Sequence, residues 1–305
     1  MATVTSTLLN ALTISLRKEF QEGIAHAAPT WSEIAMRIPS TTGINVYSWL
    51  GEVPMMEEWL GKRVVKQLKE NPYHIENKLF TSTVGVPRTA IEDDQVGNYR
   101  LVVKHMGEAA AKLPDQLVWG LLPKGLDIKC FDGQSYFDAE HPLYANSDGT
   151  GDVSFQSNVT TGQDTGVPKW YVIDDSQILK ALVWQERTAP ELESHTDSAK
   201  SDNVFMYDKY YYGARARGNA GFGLWQLAHA AVDCDLNAEN LDKILSRMKT
   251  LKADGGHNLA VRPTKLIVPP ELETPAKKLL KTQIIDGTTN IWADCLKLHV
   301  EPNLS

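Results

Sequence analysis

The longest apolar repeat in the chain constrains its architecture most. Val96, Tyr99, Val103, Met106, Ala110, Leu113, Leu117 and Leu121 step by threes and fours, the spacing that gathers side chains on one face of an α-helix. Glu92, Asp93 and Asp94 stand just before it, where negative charge favours the positive end of the helix dipole. Pro114 is expected to kink the helix, and Pro123 with Gly125 to end it. About 27 residues at 1.5 Å each give roughly 40 Å of helix. A compact chain of 305 residues has a diameter of about 50 Å. One helix therefore crosses almost the whole molecule.

The first 38 residues read as an amphipathic arm. Leu9, Leu12, Leu16 and Phe20 share a face, and Thr5 or Ser6 is available as a cap. Gly23 and Pro29 are expected to break the pattern, and Trp31, Ile34 and Ile38 to make a second short turn ending at Pro39. So short a helix must dock on something to be stable. From Trp59 to Leu68 the chain is helix-like, and Lys62, Arg63, Lys66 and Lys69 make a basic face. After the Asn71-Pro72 turn, Tyr73, Ile75 and Asn77 alternate with polar residues, and 79–88 is rich in Thr and Val. This reads as a hairpin or extended loop that must lie against another element, because a two-stranded ribbon is marginal alone.

Residues 126–169 are loop-rich. Strand-like segments follow at Trp170–Ile173, Ala181–Gln185, Val204–Tyr207 and Tyr210–Ala216, with a polar linker at 189–202. The last third reads helix, strand, helix: Asn237 caps Ala238–Leu251, Lys265–Val268 is a buried strand, and Glu271–Thr282 follows Pro269-Pro270. The class is α+β.

Composition excludes several functions. The 31 basic and 38 acidic residues give a net charge of −7 without a basic block, against a strongly basic DNA-binding domain. Cys130, Cys234 and Cys295 are far apart with no CxxC pair, which argues for reduced thiols and against a zinc ribbon or disulfide framework. No apolar run approaches the ~20 residues of a membrane helix, and no signal-peptide pattern opens the chain. Synthesis in the cytoplasm without export is the expectation.

Candidate chemistry is sparse. Cys130, Asp132, Asp138 and His141 fit no closed zinc spacing, and a tight Asp-Gly turn anchored by Tyr136 and Phe137, with His141 in a turn before Pro142, is the favoured reading. Glu193, His195 and Asp197 alternate in a polar loop with no nucleophile elbow to serve. Gly218, Gly221 and Gly223 have the wrong order for a phosphate-binding loop and read as turn or bulge glycines. Arg215 and Arg217 project from one strand face beside Tyr210–Tyr212. A subunit contact is favoured there over single-stranded nucleic acid. The basic face is expected to meet Glu92, Asp93 and Asp94 of a neighbouring copy, fixing register and making assembly sensitive to salt.

Several segments carry a resemblance: EEWLGKR at 57–63, YHIENKLF at 73–80, IEDDQVGNY at 91–99, DGQSYFDAEHP at 132–142, NVFMYDKYYYGARARGNAGFGLWQLAHAA at 203–231 and GGHNLAVRPTKLIVPPEL at 255–272. In this order, over nearly the whole chain, they resemble the Mu-like phage major head subunit family. Thr81 and Tyr136 depart from the family's pattern and affect local contacts only. The resemblance implies a Hong Kong 97-type capsid fold, with an N-terminal arm at 1–40, an extended-loop region at 41–92, a spine helix at 93–125, and axial and remaining peripheral parts in 126–305. It implies a shell of pentamers and hexamers enclosing double-stranded DNA, built with scaffold and portal proteins and open to a decoration protein. No cofactor, metal or membrane is implied, and the place is the virion, assembled in the host cytoplasm. The candidate subunit-interface residues are Trp59, Lys62, Arg63, Lys66, Lys69, Glu92, Asp93, Asp94, Arg215 and Arg217. The rival readings are a bacterial nanocompartment shell of the same fold and a soluble hydrolase using Asp138 or His141.

Overall fold

A computed structural model describes residues 4–51, 73–93, 95–163, 166–196, 202–285 and 288–304. The chain opens with α1 (Ser6–His26), capped by Thr5, whose hydroxyl accepts the Leu8 N–H at 3.2 Å. The expected break at Gly23 does not occur. The next segment, expected as a second turn, makes one turn of 3-10 helix and then β1 (Ala35–Pro39). There follow β2 (Ile44–Val46), β3 (His74–Glu76), β4 (Lys78–Pro87), the short α2 (Arg88–Glu92) and the long α3 (Val96–Trp119). Pro114 lies inside α3 without ending it.

α1 lies along α3 and the two run in the same direction: Glu22 pairs with Lys104 at 3.0 Å, and Asp115 accepts the N–H groups of Thr30 and Trp31 at 2.9 and 2.7 Å. The backbones touch. A Cβ on Gly23 would collide with the Lys104 carbonyl, and one on Gly107 with the Phe20 carbonyl. Gly23 is thus a contact point, which explains why a residue with poor helix propensity persists in a helix. The arm's apolar stripe, Leu12, Leu16 and Phe20, is buried with Val103 and Met106 in one core cluster. The arm is therefore covered by its own subunit.

The remaining elements are β5 (His141–Tyr144), β6 (Val153–Gln156), β7 (Val159–Thr161), β8 (Trp170–Ile173), β9 (Leu182–His195), α4 (Asp202–Tyr207), β10 (Lys209–Phe222), β11 (Ala228–Val232), α5 (Ala238–Lys249), β12 (Lys265–Val268), α6 (Glu273–Lys281), β13 (Ile284–Ile285), β14 (Thr288–Thr289) and β15 (Lys297–Val300). Two expectations are corrected here. Val204–Tyr207 is helical, and much of the polar linker at 189–202 is strand, since β9 runs on to His195.

Two sheets organise the fold. The four-stranded sheet has the order β1-β9-β10-β4, with β1 parallel to β9 and the other pairs antiparallel. Its register shifts around Arg217, where Gly218 packs against the Gln185 carbonyl too closely for a Cβ, so the bulge reading of Gly218 fits. On β10, Tyr210, Tyr212, Ala214 and Ala216 are buried and alternate with half-buried Tyr211, Gly213, Arg215 and Arg217. Tyr210, Tyr212 and Ala214 join the α1–α3 core, so the helices cover one face at this end of the sheet and leave the Arg215 and Arg217 face half-buried, while at the other end Ile75 and Tyr73 cover that second face at Gly221. The second sheet is five-stranded, β15-β12-β8-β11-β7. Every residue of β8 and β12 is buried, and α5 and α6 contribute Leu241, Ile244, Leu245, Met248, Ala276, Leu279 and Leu280 to the same core. α5 starts on Asn237, whose side chain accepts the Asn240 N–H at 2.9 Å.

Candidate subunit-interface site

The predicted interface residues scatter. Trp59, Lys62, Arg63, Lys66, Lys69 and Asp94 lie outside the described residues, as does Asp197. Glu92 closes α2 and pairs with Arg88 one turn back at 3.1 Å, and Asp93 is the residue on which that helix ends. Much of the Glu92 charge is thus answered within its own helix. Arg215 and Arg217 stand together on the open face of the four-stranded sheet, Arg215 in register with Glu191 of β9 and Thr81 of β4. Glu193 and His195 are exposed on β9, in a strand and not in the polar loop expected for them, and a pair open to water on a flat sheet does not make an enclosed acid–base site.

Large apolar side chains that the sequence reading passed over are also exposed. Ile14 on α1, Leu101 on α3 and Ile178 in the loop before β9 are 69%, 71% and 94% exposed. The first two could have been found, because both sit off the apolar stripe of their helices. Ile178 is presented by a fixed loop: the Asp174 carboxylate accepts the Ser176 N–H at 2.9 Å and the Arg262 N–H at 2.8 Å. Apolar groups held out into water mark contact surfaces when they gather into patches or recur on one face.

One ion network, centred on a buried lysine, ties the five-stranded sheet to the segment that follows α1. Lys265 on β12 pairs with Glu33 and, at 2.9 Å, with Asp175. Burial opposes its charge, but the hydrogen bonds and charges of these carboxylates prevail and hold the ammonium above its ordinary range.

Cys130, Asp132 and His141 come together, while the Asp138 carboxylate turns aside to accept the Glu140 N–H at 2.9 Å. His141 is not in a turn. It opens β5, fully buried, with Nδ1 2.6 Å from Asp132 and its ring stacked on Trp225 at 3.9 Å. Burial works against the Asp132 carboxylate, yet the hydrogen bond and charge of His141 hold it below its ordinary value. Burial and then the Asp132 charge push the Cys130 thiol well up. The expected Asp-Gly turn is present, with Gly133 at φ 89° and Tyr136 and Phe137 buried.

Comparison with known proteins bears on all of this. Residues 9–304 match the family model described as Mu-like prophage major head subunit gpT. The chain is 43% identical over 287 residues, 93% of its length and 92% of the relative, to a Haemophilus influenzae protein named Mu-like prophage FluMu major head subunit. It is 42% identical over 291 residues, 94% of each chain, to the major capsid protein of Escherichia phage Mu. Among solved structures, it superposes on the subunit of the bacteriophage JBD30 procapsid with a TM-score of 0.88 at 43% identity, covering 97% of this chain and 99% of that one. On the JBD30 capsid the TM-score is 0.80 at 31% identity with both chains fully covered. On that capsid decorated with minor capsid protein trimers it is 0.75 at 31% identity, again over both full chains.

Proposed function

The chain belongs to the Mu-like prophage major head subunit gpT family and is a major capsid protein of the Hong Kong 97-type fold, and from that premise we propose how it builds a head. Copies join into pentamers and hexamers, and these close into an icosahedral shell around double-stranded DNA, in the virion of a Mu-like phage or prophage. Assembly takes place in the host cytoplasm with scaffold and portal proteins. The JBD30 capsid carrying minor capsid protein trimers supports a decoration protein on the outside.

The observation that carries the reading is the match over almost the whole chain to head subunits, together with a sheet whose face around Arg215 and Arg217 is only half-buried by the described residues. Head-to-tail contacts close into rings when the rotation allows, and several modest contacts per subunit reinforce one another once a ring exists. In this reading the four-stranded sheet, α1 and α3 are the arm and peripheral part, and the five-stranded sheet with α5 and α6 is the axial part. Arg215 and Arg217 meet a neighbouring copy, and the basic face Lys62, Arg63, Lys66, Lys69 steers assembly toward the acids Glu92, Asp93 and Asp94. Trp59 anchors the same contact, being large and apolar and of a residue type enriched at interfaces. The role is architectural, with no catalysis.

Expression of the full chain with its neighbouring head genes, followed by electron microscopy and nuclease treatment, tests the reading. Closed shells holding nuclease-protected double-stranded DNA support it. Shells that hold protein cargo and no DNA would move the chain to the nanocompartment class.

A further inference from the structure

The Cys130–Asp132–His141 cluster takes no part in the surfaces assigned to assembly. One ligand atom from each of the three lies within 4.8 Å of the others. We propose that they form a binding site for one divalent transition-metal ion of zinc type, held by Cys130 Sγ, the Asp132 carboxylate and His141 Nδ1, with water as the remaining ligand. A thiolate, an imidazole and a carboxylate are a donor set that zinc accepts.

The orientation of His141 carries the inference. Asn158 donates from its Nδ2 to the carbonyls of Tyr136 at 2.8 Å and Trp225 at 3.3 Å, and its Oδ1 accepts the Asp138 N–H at 2.9 Å. The amide can therefore point only one way, with its oxygen 3.1 Å from His141 Nε2. Nε2 must carry the hydrogen, and Nδ1 is directed at Asp132. A ligating histidine whose other N–H is fixed by an oxygen acceptor is the usual supporting arrangement of a metal site.

Charge and access agree with this. Cys130 Sγ donates to Asp132 Oδ1 at 3.0 Å, and a proton joins His141 Nδ1 to Asp132 Oδ2. A divalent ion entering here displaces those two protons, one from sulfur and one from between Nδ1 and the carboxylate. The total charge of the buried site is then unchanged, so burial does not oppose the exchange. The 2.6 Å contact between Nδ1 and Oδ2 opens by roughly 1 Å to admit bonds of about 2.0–2.3 Å. Asp132 lines a cavity of about 520 Å³ that also meets Trp225 and Gln226, with room for an ion and water to enter. The Gln226 side-chain oxygen, on the lining of the same cavity, is buried and has no hydrogen-bond partner among the described residues. Bound metal would fasten the 130–136 turn to β5.

The test uses the full-length chain carrying Cys295→Ser, which removes the exposed thiol and its adventitious binding. Titration with cobalt(II) should give one ion per chain and a thiolate-to-cobalt charge-transfer absorption, displaced by zinc. Cys130→Ser should abolish that absorption and weaken binding by at least about 10-fold, since a lost ligand costs no less than a lost supporting hydrogen bond, while Cys234→Ser leaves both intact. Zinc should also raise the denaturation midpoint of the parent protein and leave that of the Cys130→Ser protein unchanged. Absence of stoichiometric binding, an absorption that survives Cys130→Ser, or a denaturation midpoint of the parent protein that zinc leaves unchanged would overturn the assignment.

Discussion

In the five-stranded sheet β8 and β12 are buried at every position, whereas β10 of the four-stranded sheet is buried at every second position over most of its length. The difference is one of self-sufficiency. Strands enclosed on both faces have no need of a neighbour, and they read as continuous apolar runs. In β10, a strand of 14 residues about 45 Å long, the Tyr210–Ala214 stretch has one face on α1 and α3 and half-buried residues on the other, a surface that another copy can use. The first region makes the subunit a stable body. In the proposed assembly the second makes it a building piece.

Trp170→Ala separates the two most sharply. It empties a fully buried site in the enclosed core and should cost about 3–5 kcal/mol in denaturant unfolding. Gly107→Val attacks the other region. Its new side chain cannot fit beside the Phe20 carbonyl, so a loss of about 1–3 kcal/mol is expected, with exposure of α1 seen by limited proteolysis. A Gly107→Val protein that keeps α1 protected would show that the two helices are not locked together as described. Asp115→Ala, which strips the acceptor from two backbone N–H groups where the arm joins α3, should cost about 1–3 kcal/mol.

The enclosed region also carries a pH signature. Burial, aided by the charge of Arg247, depresses His229 on β11 to about 3. The unfolded chain takes up this proton near 6.5 and the folded one does not, so unfolding is favoured as pH falls from about 6.5 toward 3, by at most about 1.4 kcal/mol per pH unit. His229→Gln should flatten that part of the stability profile, and an unchanged slope would locate the acid sensitivity elsewhere. Smallest in stability is the paired reversal Arg215→Glu with Arg217→Glu. The new carboxylate at position 215 would then face Glu191 across the strands, so unfolding of the isolated subunit should move by up to about 1 kcal/mol, while the yield of closed shells falls. Normal yield would remove these residues from the contact.

Local signals made much of this fold legible in the sequence. Apolar periodicity located α1 and α3, Asn237 announced the cap of α5 and Thr5 was one of two candidates for that of α1, and the apolar runs in β8 and β12 marked strands. Signals that depend on distant partners misled. Gly23 looked like a helix breaker because only the Lys104 carbonyl explains it. Pro190 and its polar neighbours made the second half of β9 look like linker. Yet Pro190 sits where the register with β10 shifts between Arg215 and Arg217, a place where a strand tolerates proline. Val204–Tyr207 is too short for its period to separate helix from strand. Of the proposed contact surface, the alternation of Arg215 and Arg217 put them on one strand face, as they stand in β10, but the exposure of Leu101 and Ile14 was lost among the apolar residues of their helices. The meeting of Cys130, Asp132 and His141 had no spacing rule to reveal it, since a tight turn folded against β5 brings them together.

Cryo-electron microscopy of assembled heads, at a resolution that shows side chains, tests the difference between the two regions most directly. Neighbouring copies should cover the open face and β4 edge of the four-stranded sheet, including Arg215 and Arg217, while β8 and β12 touch only their own chain. A closed shell that leaves that face and edge bare to solvent, with its contacts made through the five-stranded sheet instead, would contradict the account.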